Sequence, residues 1–422
     1  MTVPREAGNR VHRPLILIFS TYYWPELAGN APYVTGLAEH LAARGWDTHV
    51  ACGFPHYPSW EAAPRRPAER SSRGGVEIHR RWHYVPTKQT AVQRVVYEGS
   101  LLASGLTALR TTRRPDVILG ISPSLAGASL ASVAARLHRR PYGLLFQDLM
   151  GQAAAQSGVR GGGAVSRLTR AAECRLARRA ESVAVVSKGF RPYLQDGGVD
   201  PGRIVVVRNW SRSSAPSRSR AETRALLGWD DGTFVCVHAG NMGHKQDLGN
   251  VVRTAPLLNG RAHVVLAGDG NERAALQELA AGLAPGNLEF LPPAAPGDYE
   301  SILDAADLLV VNQRGSVSNM SLASKLTAYF SSGTPVVAAC APDSDTARLI
   351  SAAGAGVVVA PDDPPALAAA IVALKEDDAR RKSLGEQGRA YASEFLSEAA
   401  AMRDLDGFID ALLSAGGKAR SA

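Results

Sequence analysis

The sequence predicts an α/β protein made of two Rossmann-like doubly wound units that face a central cleft. Short all-apolar runs of strand length recur along the 422 residues, separated by helix-length segments. The alternation breaks once, at 210–232, and then begins again. Composition agrees: 45% hydrophobic residues but only 6% aromatic ones suit α/β layers better than an all-β sandwich. A chain of this length exceeds one ordinary core, so two domains are expected.

Behind a polar, basic stretch at 1–14, read as a disordered tail, LILIFS (15–20) has the look of a strand buried on both faces of a parallel sheet. The loop STYYWPELAGN follows, then a helix in which Val34, Leu37, Ala38 and Leu41 share one face and Gly45 ends the turn. DTHVACG (47–53) completes a βαβ unit whose loop lies at the carboxyl end of the first strand, where open α/β sheets bind ligands. VEIHR, a helix from about Ala91, DVILGIS, a second helix, YGLLFQD, a basic helix after glycines 161–163, SVAVVS and RIVVVRN continue the series. Parallel neighbours need such crossovers. The first domain is therefore placed at 15–209.

Residues 210–232 include SRSSAPSRSR, which has no apolar period and reads as a surface linker. TFVCVHAG, HVVLAGDG, LEFL, DLLVVNQ, PVVAAC and GVVVA then form a second alternating series, placed at 233–395. The last segment, 396–422, has the apolar spacing of a helix able to cross back to the first domain.

The formal net charge is +8, with arginines clustered at Arg110/Arg113/Arg114, Arg136/Arg139/Arg140 and Arg175/Arg178/Arg179. Such a surface attracts an anionic membrane face or a phosphorylated acceptor; solvated helix faces explain it equally, and no nucleic-acid motif accompanies it. The four cysteines, Cys52, Cys174, Cys236 and Cys340, are far apart and show neither a disulfide framework nor metal-ligand spacing, so a reducing, cytoplasmic setting is expected. No apolar stretch approaches the ~18 residues of a membrane span.

Three glycine- or serine-bearing turns in the second series sit between a strand and a helix. HAGNMGHKQDL (238–248) places Gly243 and Lys245 where backbone N–H groups and a cation can meet a phosphate, although a tight turn needs the same residues. AGDGNER (267–273) repeats the arrangement with Gly268, where Asp269 and Asn271 can simply cap the helix. In SNMSLASKLTAYFSSGTPVVAAC (318–340), Ser321, Ser324 and Lys325 stand at a helix start. In the first domain Tyr22, Trp24, Gly29 and Asn30 of the first loop, His56 of GFPHYPSW, and Asp148 at the end of YGLLFQD fall at one sheet edge. Aromatic faces there can stack on a sugar or pack internally, and a carboxylate can bind hydroxyls, stabilise positive charge or cap the next segment.

Taken in order, TYYWPELAGNAPYVTGLAEHLAARG, GFPHYP, FQD, NMGHKQDL and LASKLTAYFSSGTPVVA resemble the family 4 (group 1) glycosyltransferases of GT-B fold, closest to the colanic-acid and capsule-type bacterial members. The resemblance covers nearly all of 15–411. It implies transfer of a sugar from a nucleotide diphosphate donor, usually UDP-linked, to a hydroxyl, with retention and without a bound metal or other cofactor. It assigns diphosphate contact to Gly243, Lys245, Ser324 and Lys325, close approach to Gly29, and the base to backbone around Phe290 to Pro293, with Leu291 and Pro292 as donor contacts. Lys245 and the helix starts then stabilise the leaving nucleotide. The remaining expected contacts are Gly268 and Ser321 for the donor, Tyr22, Asn30 and His56 for the acceptor, and Asp148 as a catalytic carboxylate.

One departure stands out. The wider family carries two glutamates for the donor sugar and the ribose, and the matching positions here read Met320 and Ala328. This makes a sugar-nucleotide-binding protein without activity a rival reading; a 2-epimerase of similar architecture lacks its converging acid and base groups here. The acceptor is expected to be a lipid-linked saccharide in exopolysaccharide or cell-envelope glycan synthesis, or else a soluble antibiotic or aminocyclitol scaffold, with an anionic membrane surface as a partner of the first case and no nucleic acid in either.

Overall fold

The computed structural model describes residues 13–27, 29–57, 60–61, 66–87, 90–110, 113–151, 162–211, 214–316 and 325–421. The chain divides into two compact units, one of Met1–Arg208 together with Met402–Ala422, the other of Asn209–Ala401.

The first unit is built on eight strands: β1 (Leu15–Phe19), β2 (Asp47–Gly53), β3 (Ala68–Arg73), β4 (Val76–Arg81), β5 (Val117–Ser122), β6 (Tyr142–Phe146), β7 (Ser182–Val185) and β8 (Ile204–Val206). Their order across the sheet is β3-β4-β2-β1-β5-β6-β7-β8, and every pairing is parallel except β3 with β4. β1 and β5 are buried along their whole length, as the apolar runs require. The helices α1 (Ala31–Ala43), α2 (Ala91–Gly105), α3 (Leu125–His138), α4 (Gly162–Arg179) and α5 (Phe190–Asp196) supply the crossovers.

Strand β3 has no counterpart in the sequence reading. Its residues AERSSR are almost all exposed, so no apolar run announces it. The hairpin is encoded in the turn instead: Gly74 and Gly75 both take positive φ, +55° and +78°, as a two-residue connection of matching twist demands.

The C-terminal helix (Glu398–Ser421) contributes its residues from Met402 onward to this unit. Phe408 and Leu412 press against β6, where a Cβ on Gly143 would lie 2.7 Å and 2.6 Å from them. Asp406 meets His40 and Arg44 of α1 at 3.0 and 2.6 Å, and Arg208 meets Asp404 at 3.2 Å.

The second unit holds β9 (Val235–Ala239), β10 (His263–Ala267), β11 (Leu288–Leu291), β12 (Leu308–Asn312), β13 (Val336–Ala339) and β14 (Gly356–Val359), all parallel in the order β11-β10-β9-β12-β13-β14. Its helices are α6 (Arg220–Leu227), α7 (Gly249–Leu257), α8 (Arg273–Leu283), α9 (Asp298–Ala305), α10 (Lys325–Ser332), α11 (Asp345–Ala353), α12 (Pro364–Glu376) and α13 (Asp378–Phe395). No helix among the described residues is long and apolar enough to cross a membrane.

The stretch 210–232 is more than a surface linker. Ser219 and Glu222 form a capping box that starts α6, and Trp229 beyond it is buried, its indole N–H donating to Glu289 at 3.1 Å. The helix lacks an apolar period because a cation holds it: the buried Arg224 guanidinium donates to the carbonyls of Ala305 (3.0 Å) and Asp230 (2.7 Å) and reaches the Asp307 carboxylate (3.3 Å).

Candidate functional site

β9 and β12 are neighbours in the second sheet although five elements separate them in sequence, and the chain moves outward in opposite directions from the two. Such a switch point opens a crevice at the carboxyl ends of the strands. The loops that follow β9 and β10, together with the first residue of α10, gather there.

His238 of β9 is fully buried. Its Nδ1 lies 3.1 Å from the carbonyl of Val310, which makes Nδ1 the protonated nitrogen and leaves Nε2 as an acceptor. The Lys325 ammonium donates to that Nε2 at 2.9 Å. Burial holds His238 well below its usual pKa, with the Lys325 charge adding to the effect, so the ring stays neutral. Burial also pushes the Lys325 ammonium down to about 7. The amine stands over the first residue of the glycine loop: a Cβ on Gly240, whose φ is +129°, would lie 3.4 Å from Nζ. A strongly desolvated cation at a helix start is suited to an anion that brings its own charge.

The two glycine turns form one structure. Met242 N–H donates to Asp269 O at 2.8 Å and Glu272 N–H to Met242 O at 3.0 Å. Gly268 (φ +137°) permits this, since a Cβ there would fall 2.0 Å from the Gly240 carbonyl oxygen. Its place is thus to let the loops meet. The Leu291 carbonyl accepts from Gly268 N–H (3.1 Å) and from Arg273 (2.9 Å), while Pro292 is exposed beside it. Gly243 is buried and its N–H donates to the Gln246 side chain at 3.2 Å, so this amide serves the turn. Lys245 is exposed, and its carbonyl accepts from Arg314 N–H at 3.0 Å. Asn312 at the end of β12 clamps the loop, donating to the carbonyls of Gln246 and Asp247 at 2.8 Å each and accepting from Asn250 at 2.8 Å.

Ser321, Ser324 and Met320 lie outside the described residues. Ala328 lines a recess with Glu300, Leu303, Ser331 and Ala392, whereas Tyr329 on the next position donates to the Ala239 carbonyl at 3.1 Å beside the glycine loop. The face of α10 that meets β9 is therefore carried by Lys325 and Tyr329.

In the first unit the loops after β1 and β2 are fastened by Glu26, a buried carboxylate that accepts from the backbone N–H groups of Tyr23 (3.2 Å), His56 (2.9 Å) and Tyr57 (2.9 Å). Tyr22 and His56 come together with ring centroids 5.4 Å apart. Contrary to its expected contact with an acceptor, His56 is turned inward: Nδ1 lies 2.9 Å from Phe54 O, Nε2 lies 3.0 Å from the Tyr97 hydroxyl, and the side chain is wholly buried. Burial lowers its pKa. Tyr22 is half-buried against it, Gly29 is exposed at φ +63°, and Asn30 precedes α1 without capping it. Asp148 is exposed after β6, its Oδ1 accepting from Leu149 N–H at 2.9 Å. Its loop is held from below by Glu173, which accepts from Met150 N–H (2.9 Å), Gly151 N–H (3.1 Å) and Tyr193 (2.5 Å).

His238, Glu26, Glu173, Arg273 and Asn312 escaped the sequence reading. Each is a lone polar residue within or beside an apolar run or a helix, and its partner lies far along the chain. His238 and Arg273, each adjoining a glycine turn, offered a signal by position.

Residues 28–210 match the family described as "Glycosyl transferase 4-like domain", and residues 233–377 the family described as "Glycosyl transferases group 1". The chain is 29% identical over 324 residues, 74% of its length and 80% of the relative's, to the protein of Escherichia coli (strain K12) described as "Putative colanic acid biosynthesis glycosyl transferase WcaI". Among solved structures it is similar to sucrose-phosphate synthase of Thermosynechococcus elongatus (TM-score 0.71, 18% identity, covering 96% of this chain and 100% of that one). It is also similar to HepE of Anabaena in complex with UDP (TM-score 0.69, 16% identity, 94% and 100% covered). These likenesses give the fold, two parallel-sheet α/β units of the GT-B kind. Because both halves carry domains of one enzyme class, in the order that this architecture needs, the chain belongs to the group 1 glycosyltransferases.

Proposed function

We propose that the enzyme moves a sugar from a nucleotide diphosphate donor, UDP-linked, to a hydroxyl of a lipid-linked saccharide in exopolysaccharide or cell-envelope glycan synthesis, with retention and without a metal. The observation that carries the donor half is the Lys325 amine, desolvated and held by His238 over Gly240 at the β9/β12 switch point. A diphosphate arriving there meets a cation at a helix start, with the exposed Lys245 as a second positive charge on the same loop. Charge that develops on the leaving nucleotide is then met by fixed groups rather than by reorganising water.

Support for the acceptor half comes from the colanic acid relative and from the basic clusters of the first unit. An enzyme working at a cytoplasmic membrane face would use such arginines against anionic headgroups. Asp148, exposed after β6, is the carboxylate assigned to the acceptor hydroxyl or to positive charge on the sugar. Ribose contact passes from the family's glutamate to other groups, since Ala328 carries no carboxylate.

The test is incubation with UDP-, GDP- and dTDP-sugars in EDTA, with and without a membrane-lipid extract, while nucleoside diphosphate is quantified. Release from a UDP-sugar that rises with the extract is the expected result. Release that ignores the extract but responds to a soluble scaffold would replace the lipid-linked acceptor; donor binding without release across the panel would overturn the transferase assignment of this site.

A further inference from the structure

Away from the loops that bear the proposed chemistry, β2 and β4 of the first unit place His49, Glu77 and His79 on one face of the sheet. His49 and Glu77 are register partners, and His79 is two residues beyond Glu77, so all three side chains leave the same side. His49 Nδ1 lies 3.0 Å from His79 Nε2, and a Glu77 carboxylate oxygen lies 3.8 Å from each of these nitrogens. A triangle with these sides has a centre about 2.1 Å from every corner, which is the length of a zinc–imidazole or zinc–carboxylate bond. The other nitrogen of His49 faces the Asp47 carboxylate at 3.1 Å, the arrangement that orients a metal-bound imidazole.

We propose that His49, Glu77 and His79 form a binding site for a divalent transition ion of the zinc class, with Asp47 orienting His49 through its second ring nitrogen. Both histidines are buried, whereas the Glu77 side chain is 58% exposed, so the site has rigid nitrogen donors and one face open to water for a fourth ligand and for ion exchange. Arg70 and Arg81 are close enough to act on His79, while the Asp47 and Glu77 carboxylates lie 3.1 and 3.8 Å from the two ring nitrogens of His49. The ion would tie β2 to β4 near the sheet edge, outside which only the β3 hairpin strand remains. His49 lies 28 residues before Glu77, so only the Glu77–His79 half of the site is local in sequence. The ion is proposed as a tie between strands and is assigned no part in transfer.

The full-length, tag-free enzyme is stripped with EDTA, exchanged into chelator-free buffer, and titrated with Zn(II) against a chromophoric competitor and with Co(II) followed by visible absorbance. One equivalent should bind, and Zn(II) should raise Tm by ~3 °C. Glu77→Gln, at an exposed position, should keep the fold by circular dichroism and weaken binding at least tenfold; His49→Gln should remove the cobalt bands. Absence of stoichiometric binding would overturn the site. So would unchanged affinity in folded Glu77→Gln and His49→Gln proteins, since the ion would then be held elsewhere.

Discussion

Replacing Lys325 with methionine separates its two roles, because the side chain costs stability in the free enzyme and supplies charge when a diphosphate binds. Burial lowers this ammonium from 10.5 to about 7, which bounds its cost to the folded state at about 5 kcal/mol. The residue is not wholly enclosed, and solvent screening reduces the expected gain from Lys325→Met to about 1–3 kcal/mol near neutral pH, a rise of several degrees in Tm. The sign follows from proton uptake. Between pH 7 and 10.5 the unfolded chain holds the Lys325 proton and the folded chain does not, so wild-type stability rises with pH over that range. The advantage of Lys325→Met should shrink correspondingly. Binding moves the other way: losing a charge-assisted contact to a diphosphate costs about 1.5–3 kcal/mol, roughly a 10- to 150-fold weaker Kd for UDP. Wild-type affinity should also fall as pH rises from 7 to 9, by up to about tenfold per unit, because the free amine must regain its proton. Calorimetric titration of UDP and thermal melts at pH 7, 8 and 9 on both proteins read all these quantities. A variant that binds UDP within twofold of wild type, or a wild-type affinity flat across this range, would refute the role given to the amine.

Other consequences are independent of that residue. Gly268→Ala drives a methyl into the Gly240 carbonyl, so UDP affinity and stability should both fall, the latter by at least about 1–3 kcal/mol in urea unfolding; an unchanged Kd would mean that the loops need not meet. Burial lowers the pKa of His56 and brings that of His83 to about 4, so both are neutral when folded and charge on unfolding. Stability should be full above pH 6.5 and drop as pH falls from there towards 4, and His83→Phe should flatten that part of the profile of Tm against pH. Phe408→Ala, removing a buried ring from the packing on β6, should cost about 3–5 kcal/mol, measured by denaturant unfolding.

What the sequence made legible was whatever is written as local period or local turn chemistry. The buried strands β1, β5, β9 and β12 read directly as apolar runs, and the glycine turns after β9 and β10 as backbone that must pass close to something. In the latter case the thing approached is largely the other turn, a fact that only the long-range meeting of Gly240 with Gly268 reveals. Helix α6 and strand β3 failed to show because neither is organised by an apolar face: the one hangs on Arg224 and a capping box, the other on ladder bonds at an exposed edge. His56 looked available as a lone histidine in an aromatic loop, and what withdraws it is the Tyr97 hydroxyl, 41 residues away. The Lys325–His238 pair spans 87 residues and had only one legible member.

The first unit has a chronology built into its connectivity. Its sheet is complete at Arg208, yet the helix that covers β6 follows the whole of Asn209–Ala401 in sequence. A nascent chain thus carries β6 with Gly143 uncovered for the time needed to make about 190 further residues, roughly ten to forty seconds at ordinary elongation rates. During that interval the second unit can mature alone, while the first unit waits for Phe408 and Leu412. Shortened chains ending before Met402 would hold every strand of both sheets and still present this bare apolar strip to chaperones and proteases, so loss of 402–422 would register first as low abundance rather than as altered catalysis.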